Sequence, residues 1–141
     1  MKERLRNLYH QKKLTPAGLL AAVGKGYITV NDMIEIVGED NATEVIRSAK
    51  IAEISAACNA VIVAGIDIKL GEETEHFNLS IEDQSNIANL FRVVELGGTE
   101  FPYQADGGKC RVYTAQEIAQ IYIAAQTAIT AQTTYHNALK A

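Results

Sequence analysis

Only two prolines and two cysteines occur among the 141 residues, and no apolar run approaches the length of a membrane span. Each shortage excludes something. Cys58 and Cys110 lie far apart and make no metal-ligand spacing, so they read as two free thiols, buried or half-buried. The stretch Ala60–Ile68 is apolar but far short of the roughly 20 residues that cross a bilayer, so no membrane contact is expected. The opening MKERLRNLYHQKK is positively charged with no apolar stretch behind it. That is not the layout of a secretory signal, and folding in a cytoplasm is expected.

Catalytic patterns are missing too. His10, His76 and His136 fall in three different elements with no partner at ligand spacing, so they read as ordinary surface or interface histidines. Glu82 and Asp83 are adjacent, and on a helix they point about 100° apart rather than facing each other across a bond. The glycines stand singly or as the pairs 97–98 and 107–108, neither in the register of a phosphate loop. Gly24-Lys25 lacks the Ser or Thr that should follow. No enzyme, no catalytic residue, no cofactor and no metal are therefore expected.

Charge is unevenly placed. Residues 1–26 carry six Lys or Arg against Glu3 alone, a net +5, whereas the remainder carries seven against sixteen, a net −9. A basic N-terminal helix can touch nucleic acid, but there is no interleaved aromatic platform and no reading helix behind it. The basic segment reads instead as a solvated face, or as one drawn to the acidic body of a neighbouring subunit.

What is present is a set of well-punctuated elements. Residues 2–12 suit a helix with Leu5, Leu8 and Tyr9 on one side. Leu14–Glu39 then reads as two short helices around a glycine turn: Thr15 caps a helix opening at Pro16, Gly24 and Gly26 end it, Thr29 with Asp32 caps the next, and Gly38 closes it. Two such helices bury too little surface to fold alone, so residues 1–40 are expected to be a helical adaptor that packs on something else. Its expected docking residues are Tyr9, Leu19, Leu20, Tyr27, Ile28 and Ile34.

Residues 41–141 read as an α+β unit with long first and last helices. Asn41 and Glu44 stand in capping-box spacing before the first, in which Arg47, Ile51, Ile54, Cys58 and Val61 recur at steps of four and three. GIDIKL and HFNLS alternate about a polar LGEETE turn, as a β-hairpin does. Ser80 and Asp83 open another helix that ends at Gly97-Gly98. FPYQA and CRVYT suit a second hairpin around Asp106-Gly107-Gly108, and the two hairpins are expected to form one small antiparallel sheet. Thr114 and Glu117 form a capping box for a final helix rich in Ala, Gln and Thr. In it Ile118, Ile121, Ala125, Ala128, Gln132, Tyr135 and Leu139 share a face. A helix so poor in charge favours contact with other helices. Ile51, Ile54, Cys58, Val61, Ile118, Ile121, Ala125 and Leu139 are expected to serve either self-association or a helix pair within the chain.

Two segments resemble known families. Tyr9, then Gly26-Tyr27-Ile28-Thr29, then Ile36 and Gly38 reproduce the pattern of the small XkdX-like proteins of tailed phages, with a basic tyrosine-bearing helix leading to a Gly-aromatic-Ile-Thr turn. The remainder resembles a domain of unknown function found in phage tail-fibre and baseplate-region proteins. That resemblance rests on Ala64-Gly65-Ile66, His76-Phe77, Asp83-Gln84 with Asn86, Tyr103 with Asp106-Gly107, and Thr114 with Glu117-Ile118. Unlike the short XkdX-like members, this chain continues directly into the second unit. The resemblances imply a non-enzymatic part of a phage or prophage tail tip, baseplate or fibre attachment. It would be made in the bacterial cytoplasm, reside in the virion tail, bind other tail, baseplate or fibre proteins, and form a homo-oligomer for which a trimer fits fibre symmetry. An assembly chaperone absent from the finished virion is the alternative.

Overall fold

The computed structural model describes all residues, Met1–Ala141. It is an α+β protein of six helices and two antiparallel hairpins, divided into two compact units, Met1–Glu53 and Ile54–Ala141. The division falls inside a helix, further along than the expected change at residue 40, because Ala42 and Val45 still pack into the first core.

In the first unit α1 (Lys2–His10), α2 (Pro16–Gly24) and α3 (Val30–Val37) gather around Leu19 and Met33, both fully buried, with Ala22, Ile28, Ile36 and Val37. Local chemistry starts α2 and α3 as the sequence indicates. The Thr15 hydroxyl accepts the Gly18 N–H at 3.1 Å, and Thr29 with Asp32 makes both bonds of a capping box. Gly26, at φ +76°, turns the chain between α2 and α3. The start of α4 (Glu39–Ala64) differs from expectation. Gly38, at φ +91°, separates α3 from α4, and the Ala42 N–H already donates to its carbonyl. Asn41 therefore lies within the helix, its amide donating to the Val37 carbonyl at 2.9 Å rather than capping. Glu39 and Asp40 supply negative charge to the first turn instead.

In the second unit, the end of α4 leads through Gly65 into β1 (Ile66–Leu70) and β2 (Glu73–Phe77), paired from Ile66↔Phe77 to Leu70↔Glu73. The second strand is thus ETEHF and not HFNLS. Gly71, at φ +70°, allows a two-residue turn, so Glu73, Thr74 and Glu75 enter the ladder and Leu79 becomes buried beyond it. Next come α5 (Ile81–Glu95), β3 (Phe101–Tyr103), β4 (Arg111–Tyr113) and α6 (Ala115–Lys140).

The two hairpins remain separate two-stranded sheets and do not merge into one. β3 and β4 are three residues each, and Pro102 has no N–H to offer a further ladder. The hairpins meet through side chains. Phe77 stacks on Tyr103 at 6.3 Å and meets Tyr113 edge-on at 6.1 Å. Across the helices, Phe91 stacks on Tyr122 at 4.3 Å. Phe77, Leu79, Ile87, Phe101, Tyr113, Ile118, Ile121 and Ala125 fill the core.

Candidate functional site

A network of charge and hydrogen bonds joins the two hairpins. One backbone bond links them, from the Asp106 N–H to the His76 carbonyl at 2.8 Å. Beside it Arg111 of β4 donates to Glu75 of β2 at 2.6 Å and to Glu117 of α6 at 3.0 Å, with its guanidinium 3.8 Å from the centre of the Tyr113 ring. The Tyr113 hydroxyl donates to Glu75 at 3.1 Å. The bonds from Arg111 hold the Glu75 carboxyl below the usual carboxylate range, and the carboxylates raise the arginine in return. Burial first, and Glu75 second, push the Tyr113 phenol up to about 12.

This network changes the reading of the last cap. Thr114 does accept the Glu117 N–H at 3.1 Å, but Glu117 turns to Arg111 rather than back to the cap. Both bonds would be charge-assisted, but the guanidinium adds a full opposite charge that a peptide N–H lacks.

Next to the network, Phe77, Asn78, Asp83, Tyr103, Gln104, Ala105, Asp106 and Gly107 line a cleft of about 210 Å³. Phe77, Asp83, Tyr103, Asp106 and Gly107 are residues on which the second resemblance rests, and the fold brings them to one place. Asp83 is engaged by its own helix, accepting the Ser80 N–H at 3.1 Å. Its charge adds to burial in raising the Tyr103 phenol. None of the three histidines is hydrogen-bonded to a serine or cysteine, and no cluster of His, Cys, Asp and Glu has the grouping to hold a metal. No helix is long and apolar enough to cross a membrane.

Residues 45–141 match the model of a family described as a domain of unknown function (DUF4376). The chain belongs to that family. No curated protein and no solved structure matches it. The DUF4376 match takes in the whole second unit, so both hairpins, the cleft and the Arg111 network lie inside it.

The residues expected to mediate self-association separate into three groups. Ile118, Ile121 and Ala125 are buried in the core of the DUF4376 unit and are consumed there. Ile51, Ile54 and Cys58 are half-buried on α4, where the Cys58 thiol approaches the Gln132 carbonyl at 3.7 Å. Val61 (47% exposed) and Leu139 (51%) face solvent, joined by Ile123 (61%) and Tyr135 (59%) of α6. His136, expected at the surface or at an interface, is buried within the chain, and Cys110, expected in a strand, is exposed in the loop before β4.

Of the docking candidates, Leu19 and Ile28 are buried in the first core, and Tyr9, Leu20 and Ile34 pack at its margin. Tyr27 is 54% exposed. Leu20 also lines an apolar groove of about 570 Å³ between α2 and the first half of α4, with Ala17, Ala21, Glu44, Val45, Ser48 and Ala49. Part of the N-terminal basic charge is neutralised within the chain: Lys2 pairs with Asp32 at 3.1 Å and with Glu35, and Arg6 lies 3.6 Å from Glu35.

Sequence reasoning missed the Arg111–Glu75–Glu117 network and the bonding of His76. Their signal is charge at alternate strand positions, which acquires meaning only once register is known.

Proposed function

We propose that the protein is a non-enzymatic component of a phage or prophage-derived tail tip, baseplate or tail-fibre attachment, working through protein–protein contacts and self-association. The observation that carries this reading is α6. Between Glu117 and Lys140 it has no Asp, Glu, Lys or Arg, yet it leaves Ile123, Tyr135 and Leu139 exposed. Apolar side chains on an uncharged helix suit burial against other helices. The first unit supports an adaptor role through the apolar α2–α4 groove, which has the dimensions of a site for an apolar side chain or a short helix of a partner protein. The resemblance of Tyr9, Gly26–Thr29, Ile36 and Gly38 to XkdX-like proteins supplies the tail-region context, and the cleft built from the fibre-associated residues is consistent with it.

The test is composition of the finished particle. Particles purified from an induced host are to be quantified by mass spectrometry for this protein against the major tail protein. A fixed small copy number establishes a structural part. Absence from particles with abundance in the lysate overturns that reading in favour of an assembly chaperone.

A further inference from the structure

His76 sits on β2 with both ring nitrogens occupied. Nδ1 is 2.7 Å from the Asp67 carboxylate of β1, and Nε2 is 2.7 Å from the main-chain carbonyl of Ala64, the last residue of α4. The Asn78 side-chain oxygen lies 3.2 Å from the same Nε2. A carboxylate and a peptide carbonyl can only accept, so each nitrogen must carry a proton to bond as placed. A neutral imidazole has one N–H. It satisfies one contact and sets a lone pair against an oxygen at the other.

We propose that His76 is a proton-held clasp: as the imidazolium it ties the C-terminal carbonyl of α4 to the first hairpin, and loss of one proton releases that tie. The location favours the cation, since the end of a helix presents unpaired carbonyls and partial negative charge. The ring's own main-chain carbonyl accepts the Asp106 N–H, so the clasped residue is also where the second hairpin joins the first. Release would therefore be felt at the inter-hairpin contact. The backbone leaves no slack at the joint. Gly65, at φ +91°, follows Ala64, and a Cβ there would lie 2.1 Å from the Phe77 carbonyl oxygen.

Charged groups surround the ring on several sides. Asp67 faces it from β1. Glu73, Glu75, Asp106, Lys109 and Arg111 line the adjoining cleft with it, and Arg111 is engaged by Glu75 and Glu117. The bond to Asp67 first, with those to Ala64 and Asn78, raises the histidine above its ordinary value of 6.5. A raised group contributes stability that is complete below the ordinary value and is lost as pH rises through the folded one.

The experiment is NMR titration of the ring of His76 in the full chain, with Asp67→Asn and His76→Gln as comparisons. The expected result is titration above 6.5, two protected ring N–H signals on the acid side, and Asp106 amide exchange that rises more steeply with pH than in His76→Gln. Asp67→Asn should shift the titration downward. A midpoint at or below 6.5, or a single ring N–H throughout, overturns the clasp. Should His76→Gln fail to fold, the wild-type titration alone decides.

Discussion

Arg111 reaches from β4 to Glu75 on β2 and holds its carboxylate at 2.6 Å, bridging two hairpins that share no ladder. Because one backbone bond is all the main chain contributes between them, the position of the second hairpin depends on this ion pair and on the stacking of Phe77 with Tyr103 and Tyr113.

Arg111→Met should therefore destabilise the protein by about 1–3 kcal/mol, as expected when one partner of a hydrogen-bonded charge pair is removed. Arg111→Lys should recover only part of this, since a lysine cannot hold Glu75 and Glu117 in the same forked geometry. Denaturant unfolding of the three proteins measures both. Equal stability of all three would show the bridge to be idle.

Glu75 gives a pH dependence of opposite sense to that of His76. Its folded carboxyl lies below the ordinary value of 4.5 because Arg111 favours the charged form. Its contribution is complete above 4.5 and is lost as the pH falls through the folded value. Unfolding curves of wild type and Glu75→Gln should converge as acid protonates the wild-type carboxyl.

Two glycines with positive φ should respond differently to alanine. At Gly65 a new Cβ would lie 2.1 Å from a carbonyl oxygen, so Gly65→Ala should exceed the ordinary cost of about 1–2 kcal/mol for a left-handed residue by a wide margin. At Gly26 nothing stands within 4 Å, so Gly26→Ala should cost only about 1–2 kcal/mol. Thermal unfolding of the two variants checks the order.

Self-association is to be tested at exposed positions. Ile121→Asp would bury a charge in the core and unfold the second unit, whatever the oligomeric state. Val61→Asp and the pair Tyr135→Asp with Leu139→Asp alter solvent-facing residues and should leave helix content unchanged while lowering the mass found by sedimentation. An oligomer that survives all three changes would remove these faces from consideration.

Much of the fold was legible because short-range chemistry wrote it. Thr15, Thr29 and Ser80 accept the backbone N–H groups that their spacing foretold, and the α+β class followed from the switch of period near Gly65. Errors arose where a distant partner competed. Asn41 had a cap's spacing but lay beyond Gly38, which had already begun the helix. Glu117 had the right neighbour in Thr114 and a better one in Arg111. Periodicity placed Ile121 and Leu139 on one face of α6 but could not say that the body of the protein covers the former and stops short of the latter. The cleft and the clasp were invisible for the same reason, since both need residues brought together by strand pairing.

The absence of charge along α6 has a consequence for handling. Contacts made along Ile118–Leu139 would owe nothing to Coulombic attraction, so sodium chloride would have no ion pair there to screen. Sulfate, which strengthens apolar burial, should tighten them, and cooling should loosen them. An assembly held this way would pass through a high-salt wash intact and come apart on ice.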